Sequence, residues 1–454
     1  MSSSGSPAAY GDDASVERRR TAFENGDLPV AVYGLGKMGL PLAAVYAETS
    51  GAVVGADVDD AVVDSVNRGE CHVTGEPGLD DLVADLAADG ALRATTNQEA
   101  AAMADVHVLI VPTKLDAGNA PDLSILESVV EDVATGLAAG DLVVVECTVP
   151  PKTCREVVGP LLERETGLSM GEFGLAFCPE RTSSGRALED IRGAYPKVVG
   201  GVDDASTRAA TAIYEAINAK GVLAVSDAAT AEAVKLFEGV YRDVNIALAN
   251  ELARFTDDLG IDVAEAIATA NTQPFCEIHD PGPGVGGHCI PYYPYFLAHG
   301  RTEDAPLLRT ARAVNDSMPG FVVGKLEEEF EAEGRSLDGA RVAVLGLTYR
   351  PGVNELAKTP AEPIVDGLGE AGAEVFCVDP LLDDFSRFDA TPTGIEDLPH
   401  CDLDAAVMVT PHEAFDAVDW HGFESGIVVI DGRGTLDLSR TPHRVYTIGS
   451  GLDV

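Results

Sequence analysis

One cysteine stands in a segment whose composition is suited to chemistry. Cys289 lies in "PGPGVGGHCIPYYPYF" (residues 281–296), between a glycine-rich run and a cluster of prolines and tyrosines. An accessible thiolate is a nucleophile and a buried thiol is inert, and the residue types alone leave both interpretations open. The glycines allow the backbone to approach a ligand closely, which makes Gly286 and Gly287 candidate substrate contacts. His288 adjoins Cys289, but no further ligand lies at a useful spacing, so we predict no metal site.

A lysine in an apolar helical pattern is the second candidate. The segment "AEAVKLFEGVYRDVNIALANELARFTDDLG" places apolar residues at helical spacing, which predicts one long helix ending near Gly260. Lys235 interrupts the apolar stripe. Lys235 is either desolvated or held by an oxyanion, or it packs its stem while its head stays in water.

A glycine-rich turn follows the first strand-like run. In "VAVYGLGKMGLP" the spacing Gly-x-Gly-x-x-Gly would allow a tight turn and close approach of a pyrophosphate to a helix N-terminus. Asp57 ends the second strand, 23 residues after Gly34, where a carboxylate can accept hydrogen bonds from ribose hydroxyls and would repel a 2′-phosphate. The cofactor predicted is therefore NAD. Its predicted contacts here are Gly34, Gly36, Lys37, Met38, Gly39 and Asp57.

The elements that must position these residues follow a simple order. From Leu28, buried strand-like runs alternate with helical segments; the strands then stop for about a hundred residues and return with "ARVAVLGL". We predict an α/β protein in which two Rossmann-like, doubly wound domains are joined by a helical domain with one long helix. The predicted parts are a disordered extension (1–27), an NAD-binding domain (28–227), a helical central and dimerisation domain carrying Cys289 (228–326), and a substrate-binding Rossmann-like domain (327–454).

Composition excludes several classes of partner. The 75 acidic and 31 basic residues give a net charge of −44, which disfavours nucleic acid and anionic membranes and is typical of halophilic proteins. No apolar run approaches the roughly 20 residues needed to span a bilayer, and residues 1–27 do not resemble a secretory signal. Eight scattered cysteines without a paired spacing indicate a reduced compartment, so we expect a cytoplasmic protein.

Several ordered motifs together resemble one family. "GLGKMGLP", "VPT", "ECTVPPKT", "FCPER", "VKLFEGVYRDVNIALANEL", "GPGVGGHCIP" and "VAVLGLTYRPG" are similar to motifs of the UDP-sugar 6-dehydrogenases, in the UDP-glucose/GDP-mannose dehydrogenase family, over residues 28–454. Within it, "YRDVNIALANEL" and "PGPGVGGHC" resemble the branch that acts on UDP-N-acetylhexosamines. UDP-N-acetylmannosamine is the substrate that this resemblance favours.

The resemblance implies a four-electron oxidation of the sugar C6 alcohol to a uronic acid for surface polysaccharides. Cys289 would hold the intermediate as a thiohemiacetal and then as a thioester, with two NADH formed. Lys235 matches an active-site lysine that stabilises the C6 oxygen. Glu180 in "CPER" matches a glutamate that orients or activates water. Thr148 in "CTVP" matches a hydroxyl beside the cofactor and the reacting centre.

Further contacts and an assembly follow from the same resemblance. Thr113 in "VPT" joins the predicted NAD site. The C-terminal domain would hold the UDP part of the substrate, with Arg350 and Arg433 as candidate phosphate contacts. The family dimerises through its long helix, so a homodimer is expected.

Three positions depart from the family pattern. Gly239 stands where an asparagine is usual, Tyr293 where an aspartate is usual, and Ala357 where a substrate-contacting arginine is usual, although Lys358 could compensate for the last. A phenol is a poor base at pH 7 because its pKa is near 10.

Two explanations of these departures stay open. In the first, which we favour, the site is rebuilt for an altered sugar, with hydrogen bonds from Tyr292, Tyr293, Asp243 or His288. In the second, catalytic power is reduced, or the protein binds nucleotide sugar and NAD without turnover. Another UDP-sugar such as UDP-glucose is a further alternative substrate.

Overall fold

The computed structural model describes residues 7–11, 14–300, 304–423 and 425–452. Its chain divides into two compact units. The first unit comprises Met1–Phe237 with Tyr295–His299, and the second comprises Glu238–Pro294 with Gly300–Val454. Each unit is built around its own β-sheet.

The sheet of the first unit has eight strands in the order β10-β9-β8-β7-β4-β1-β2-β3. All neighbours pair in parallel except β8 and β9, which are antiparallel. A separate hairpin consists of β5 and β6. The strands are β1 Val30–Tyr33, β2 Val53–Ala56, β3 Leu92–Thr95, β4 Val106–Leu109, β5 Lys114–Leu115, β6 Pro121–Asp122, β7 Leu142–Val145, β8 Gly174–Phe177, β9 Lys197–Gly201 and β10 Val222–Ala224.

Helices cover both faces of this sheet. One apolar cluster joins β1 and β4 to α2 and α9, and another joins β7 and β8 to α6 and α7. The central strands are therefore buried on both sides, as their continuous apolar runs predict. The helices are α1 Val16–Glu24, α2 Gly39–Ser50, α3 Asp60–Asn67, α4 Leu79–Asp89, α5 Gln98–Ala101, α6 Ser124–Ala134, α7 Gly159–Thr166, α8 Ala187–Glu189 and α9 Asp204–Ile217, with π-helical segments at Cys154–Val158 and Asp190–Ala194.

Helix α1 corrects the prediction of a disordered extension for the part of residues 1–27 that the structure describes. The Ser15 side chain caps the helix by accepting the Arg18 N–H, and the helix packs along α9. Phe23 is fully buried against Tyr46, with ring centroids 5.9 Å apart. Charged residues dominate the sequence of this helix, so the sequence does not indicate that Phe23 and Arg19 are buried.

The long predicted helix is α10, Ala228–Ala253. It ends earlier than predicted, because the helix is interrupted at residues 254–255 before the short helix α11, Thr256–Leu259, which Gly260 terminates at φ +63°. Further helices are α12 Val263–Ala270, α13 Tyr293–Ala298, α14 Pro306–Asp316 and α15 Met318–Ala332. Within the described residues, no helix combines the length and the apolar character needed to cross a bilayer.

The sheet of the second unit has seven strands in the order β13-β12-β11-β14-β15-β16-β17, parallel except at β17. The strands are β11 Arg341–Leu345, β12 Glu374–Val378, β13 Thr391–Pro392, β14 Ala405–Met408, β15 Val428–Asp431, β16 Arg444–Thr447 and β17 Gly451–Leu452, with α16 at Ala361–Glu370 and 3₁₀ turns at Ile395–His400 and Glu413–Ala417. The fold class, with two Rossmann-like sheets and a helical middle, is confirmed.

The predicted boundary at 326/327 is wrong, because it falls inside α15. Met318, Val322, Leu326 and Phe330 of this helix are buried together with residues of β11, β14 and β15. Helix α15 thus belongs to the core of the C-terminal sheet. The prediction places the boundary where strand-like runs return, and this pattern does not say which sheet covers the apolar face of the helix before them.

Candidate active site

The glycine-rich turn of the first unit has the geometry of a phosphate cradle. Gly34 has φ +94°, and a Cβ there would lie 2.7 Å from the Ile110 carbonyl oxygen. A Cβ on Gly39 would overlap the Gly34 carbonyl oxygen. A Cβ on Gly36 would meet nothing within 4 Å, so this residue faces open space. Two glycines therefore shape the turn, while Gly36 leaves its outer side open to a ligand.

The helix and the acid beside this turn suit a dinucleotide. Helix α2 begins at Gly39, and its Met38 N-cap makes no side-chain capping bond, so the positive end of the helix dipole faces the turn without a side-chain cap. Asp57 follows β2, accepts the Leu35 N–H at 2.8 Å and the Asp59 N–H at 3.0 Å, and is only half-buried. These residues fit NAD. Lys37 is also half-buried in the turn.

Lys235 is buried and paired in the first unit. It is 6% exposed, and its Nζ lies 3.4 Å from Glu180 Oε2. Thr182 donates both its backbone N–H and its hydroxyl to Glu180 Oε1, and its hydroxyl also lies 3.0 Å from Met38 Sδ. Two predicted site residues are thus in contact. The interpretation in which the ammonium of Lys235 remains in water is wrong.

The pKa of Glu180 is lowered from its ordinary value. Burial alone would raise that pKa, but the Lys235 ammonium and the two Thr182 hydrogen bonds, helped by Lys197, outweigh it. Glu180 is therefore a carboxylate near neutral pH, which is the protonation state that a base needs.

The two threonines predicted to flank the cofactor are directly connected. Thr113 donates its hydroxyl to the Thr148 carbonyl oxygen at 2.6 Å, which joins the loop after β4 to the loop after β7. The second loop is also tied to α10, because the buried carboxylate of Glu232 accepts the backbone N–H groups of Lys152 and Cys154. Thr148 is thereby held at the carboxyl end of the parallel strands, where ligands of such sheets bind.

Cys289 lies in the second unit, in the turn that precedes α13. Its side chain is exposed, whereas the other seven cysteines are buried or half-buried. The Cys289 carbonyl oxygen accepts the N–H groups of Tyr292 and Tyr293 at 3.1 and 3.0 Å. The exposed position removes the interpretation of an inert packed thiol and leaves the sulfur able to meet a ligand.

The glycines before Cys289 are packed against the chain's own loop. A Cβ on Gly286 would lie 2.7 Å from Tyr349 Cβ, and a Cβ on Gly287 would lie 3.0 Å from the Tyr349 ring. Gly287 donates its N–H to the Ala357 carbonyl oxygen at 2.7 Å. The close backbone approach expected here is thus to residues 349–358. Contact of Gly286 or Gly287 with substrate remains a prediction.

Two of the three departures from the family pattern are one packing contact. Tyr293 is buried, and its ring lies on Gly239 of α10. A Cβ on Gly239 would be 2.8 Å from Tyr293 Cε2 and closer still to Cδ2. The aromatic ring occupies the space that a side chain at 239 would need. The third departure, Ala357, contributes its carbonyl group to the Gly287 contact, and Lys358 is exposed with φ +49°.

Asp243 and His288 are each engaged within the second unit. Asp243 is fully buried, pairs with the Arg312 guanidinium and accepts the Asn315 amide at 2.9 Å. This arrangement does not support Asp243 as a sugar contact, because its carboxylate is closed off from solvent. His288 lies 3.2 Å from Glu355, although its ring is largely exposed. Tyr292 is half-buried.

The predicted phosphate contacts also lie in the second unit. Arg350 is exposed next to Tyr349. Arg433 follows β15, and its Nε donates to the Val409 carbonyl oxygen at 3.3 Å. A Cβ on Gly282 would lie 2.5 Å from its Nη1, so the guanidinium rests on the backbone of the glycine-rich run. Arg433 is thereby held near that run.

The second sheet has its own acid after its second strand, which the sequence patterns did not single out. Asp379 follows β12 and accepts the Leu347 N–H at 2.7 Å, as Asp57 accepts the Leu35 N–H. Unlike Asp57, Asp379 is buried. The same carboxylate oxygen also accepts the Thr348 N–H and lies 3.2 Å from His412 Nε2. This carboxylate is therefore satisfied internally and not open to a ribose. The signal for this residue in the sequence is the pattern "GLT…VDP", which resembles the pattern "GLG…ADV" of the first sheet.

Three family models match consecutive parts of the chain. The NAD binding domain of the UDP-glucose/GDP-mannose dehydrogenase family matches residues 28–218, its central domain matches 229–317, and its UDP binding domain matches 343–438.

Individual proteins resemble the chain over most of its length. A UDP-N-acetyl-D-mannosamine dehydrogenase of Pyrococcus horikoshii is 37% identical over 412 residues, covering 90% of this chain and 96% of that protein. An NDP-N-acetyl-D-galactosaminuronic acid dehydrogenase of Ralstonia nicotianae is 35% identical, covering 90% and 97%. The solved structure of a UDP-D-ManNAc dehydrogenase from Pyrococcus horikoshii superposes with a TM-score of 0.84 at 35% identity, covering 93% of this chain and 99% of that one.

Proposed function

This chain belongs to the UDP-glucose/GDP-mannose dehydrogenase family and is an NAD-dependent UDP-sugar dehydrogenase; from that premise we propose that it oxidises C6 of a UDP-N-acetylhexosamine to the uronic acid. UDP-N-acetylmannosamine is the favoured substrate, since relatives bearing that name are 35–37% identical over most of the chain. A nucleotide derivative of N-acetylgalactosamine is the main competing substrate, because the Ralstonia relatives are named NDP-N-acetyl-D-galactosaminuronic acid dehydrogenases.

In the proposed mechanism the first unit binds the cofactor. The turn at Gly34, Gly36 and Gly39 receives the pyrophosphate at the start of α2, and Asp57 receives the adenosine ribose. NAD, when bound, supplies the hydride acceptor for both oxidations. Thr113 and Thr148 form the wall of the same site, where Thr148 approaches the reacting carbon.

Cys289 carries the covalent steps. Loss of a hydride from C6 and of a proton from its hydroxyl gives an aldehyde, and the thiolate adds to this carbon to form a thiohemiacetal. Loss of a second hydride from C6, with the hydroxyl proton, gives a thioester. Water then cleaves the C–S bond, which releases the carboxylate and returns the thiol. One sugar, one water and two NAD+ thus yield the uronate, two NADH and three protons.

Lys235 and Glu180 of the first unit assist these steps. The Lys235 ammonium stabilises negative charge on the C6 oxygen, a type of contact worth about 3 kcal/mol. The Glu180 carboxylate, held by Lys235 and Thr182, orients or deprotonates the hydrolytic water. Arg433 and Arg350 hold the pyrophosphate of the UDP group.

The observation that carries the proposal is the exposure of Cys289 in a chain whose other cysteines are buried or half-buried. It is tested by counting NADH per sugar with purified protein, NAD and a panel of UDP-sugars. We expect two NADH per sugar. Cys289→Ala should abolish formation of the uronate, and Cys276→Ala, a half-buried cysteine of the same unit, serves as the matched control and should not. A stoichiometry of one NADH per sugar that is unchanged in Cys289→Ala would refute the covalent route. Tight binding of NAD and UDP-sugar without turnover would indicate a binding protein.

We further propose that the protein is a homodimer adapted to high salt. Helix α10 leaves Phe237, Tyr241 and Leu248 each about half exposed, at 58%, 49% and 47%, which is costly on a free surface. A second copy of this chain is the proposed cover. Light scattering should give twice the 47.3 kDa chain mass, and Leu248→Glu should lower it. A monomer at micromolar concentration in molar salt would contradict the proposal.

A further inference from the structure

We propose that Glu146 and Lys197 form an ion pair whose charge balance sets the protonation state of Glu180 during thioester hydrolysis. The inference deepens the function proposed above and rests on it. Neither Glu146 nor Lys197 stands out in the sequence.

The pair is built from the strand ends of the first sheet. Glu146 follows β7 and its side chain is fully buried, and Lys197 begins β9 with a side chain 14% exposed. Lys197 Nζ lies 2.5 Å from Glu146 Oε2, and the Tyr214 hydroxyl of α9 donates to Glu146 Oε1. Lys197 Nζ also lies 4.7 Å from the centroid of the Tyr214 ring. A carboxylate so deeply buried is tolerated only because both of its oxygens are paired.

Glu180 borders the same cavity as this pair. Residues lining the cavity include Glu146, Glu180, Thr182, Lys197 and Tyr214. The positive charges that act on Glu180 are the Lys235 ammonium at 3.4 Å and, at longer range, that of Lys197. Lys197 is in turn neutralised by Glu146. The charge that Glu180 experiences from this side therefore depends on how completely the pair is balanced.

Other titratable groups around the cavity are turned to partners of their own. Tyr195 donates its hydroxyl to the Arg181 carbonyl oxygen at 2.5 Å, and Asp190 accepts the Ser183 N–H at 2.9 Å. The Arg181 guanidinium donates to the Pro196 carbonyl oxygen at 2.6 Å and lies over the Tyr195 ring. These contacts fix the rim of the cavity, and the Glu146–Lys197 pair lines the same cavity as Glu180.

Removing Lys197 and removing Glu146 should shift the pKa of Glu180 in opposite directions. Lys197→Met removes a positive charge and leaves Glu146 unpaired, so the pKa of Glu180 should rise. Glu146→Gln keeps the shape but frees the charge of Lys197, so the pKa of Glu180 should fall. The double variant restores the balance. A residue that only supports the fold would lower activity without producing opposite shifts.

The test is the pH dependence of turnover, with UDP-N-acetylmannosamine and NAD, for the wild type, both single variants, the double variant and Lys197→Arg. We expect the acidic limb to move up by about 0.5–1 pH unit in Lys197→Met and down by a similar amount in Glu146→Gln, with the double variant and Lys197→Arg near wild type. Shifts in the same direction, or none, would overturn the inference.

A second measurement does not need turnover. The carboxyl stretching band lost in a Glu180→Gln variant reports protonation of Glu180 by infrared difference spectroscopy as pH is lowered. The same opposite shifts are expected, and an unmoved band in both single variants would refute the pair's role. If the wild type formed no uronate but the band shifted as expected, the proposed function would fail while the electrostatic inference would stand.

Discussion

Replacing Gly239 by alanine tests whether two unusual residues act as one unit. The added Cβ would stand 2.8 Å from Tyr293 Cε2 and 3.0 Å from Cγ, whereas carbon atoms in contact prefer about 3.5–4.0 Å. Because the Tyr293 ring is buried, it must move. Overpacking of this kind costs about 1–3 kcal/mol, and the better helix propensity of alanine returns about 1 kcal/mol. We expect a net loss of stability of up to about 2 kcal/mol.

The effect of Gly239→Ala on stability should change sign when the Tyr293 ring is removed. In a Tyr293→Ala background the space above Gly239 is empty, so Gly239→Ala should stabilise by up to about 1 kcal/mol through helix propensity. The coupling between the two positions is then about 1–3 kcal/mol, within the range found for residues in contact. Urea unfolding of the wild type, the two single variants and the double variant, followed by circular dichroism, measures this coupling. Gly324→Ala in α15 is the matched control, because its Cβ would meet nothing within 4 Å, and it should be neutral or stabilising.

The contact should also affect chemistry, because Tyr293 donates its N–H to the Cys289 carbonyl oxygen at 3.0 Å. Displacing the ring moves the turn that presents the thiol, and misplacement of about 1 Å can cost about 100-fold in rate. Gly239→Ala should lower turnover by about 10- to 100-fold and change the rate at which iodoacetamide alkylates Cys289. Additive effects of the two substitutions, or full activity in Gly239→Ala, would refute the reasoning.

Three further predictions concern parts of the chain away from this contact. Phe23→Ala should destabilise the first unit by about 3–5 kcal/mol, since the ring is fully buried against Tyr46; an unchanged urea midpoint would contradict the assignment of α1 to the core. Asp379→Asn should be destabilising at pH 7. Burial alone would raise the pKa of Asp379, but hydrogen bonds from His412 and from backbone N–H groups hold that pKa below its ordinary value. The stability that the carboxylate provides is therefore present at pH values above the pKa of the unfolded state, and it is lost as the pH falls through the pKa of the folded state. The difference between wild type and variant in urea unfolding should therefore shrink as the pH is lowered toward about 3, and a constant difference would count against it. Asp57→Ser should raise the KM for NAD and reduce the preference for NAD over NADP, both measured by initial rates. An unchanged ratio of kcat/KM for the two cofactors would show that the carboxylate does not contact the adenosine ribose.

Sequence and structure divide the candidate site unevenly. The glycine turn, Asp57, Lys235 and Cys289 could be named from local patterns, since each stands at a strand end, in a helical stripe or in a glycine-rich segment. Glu180 could be named only from the resemblance of "CPER" to a family motif. Glu146 and Thr182 could not, because a glutamate after a strand and a threonine in a loop are ordinary residues until the fold places them beside Glu180. The disordered extension was predicted wrongly because burial of one aromatic side chain leaves little trace in a stretch rich in charged residues.

Local properties of the chain, namely hydrophobic period, glycine spacing and strand-end residues, were enough to predict the two doubly wound sheets, the helical middle and the cofactor turn. Packing in three dimensions was needed to show that Gly239 and Tyr293 form one contact, that the glycines before Cys289 pack against residues 349–358, and that the Asp379 carboxylate is satisfied internally. Those facts depend on which atoms share a few ångströms of space, and residues distant in sequence meet there only when the core is packed.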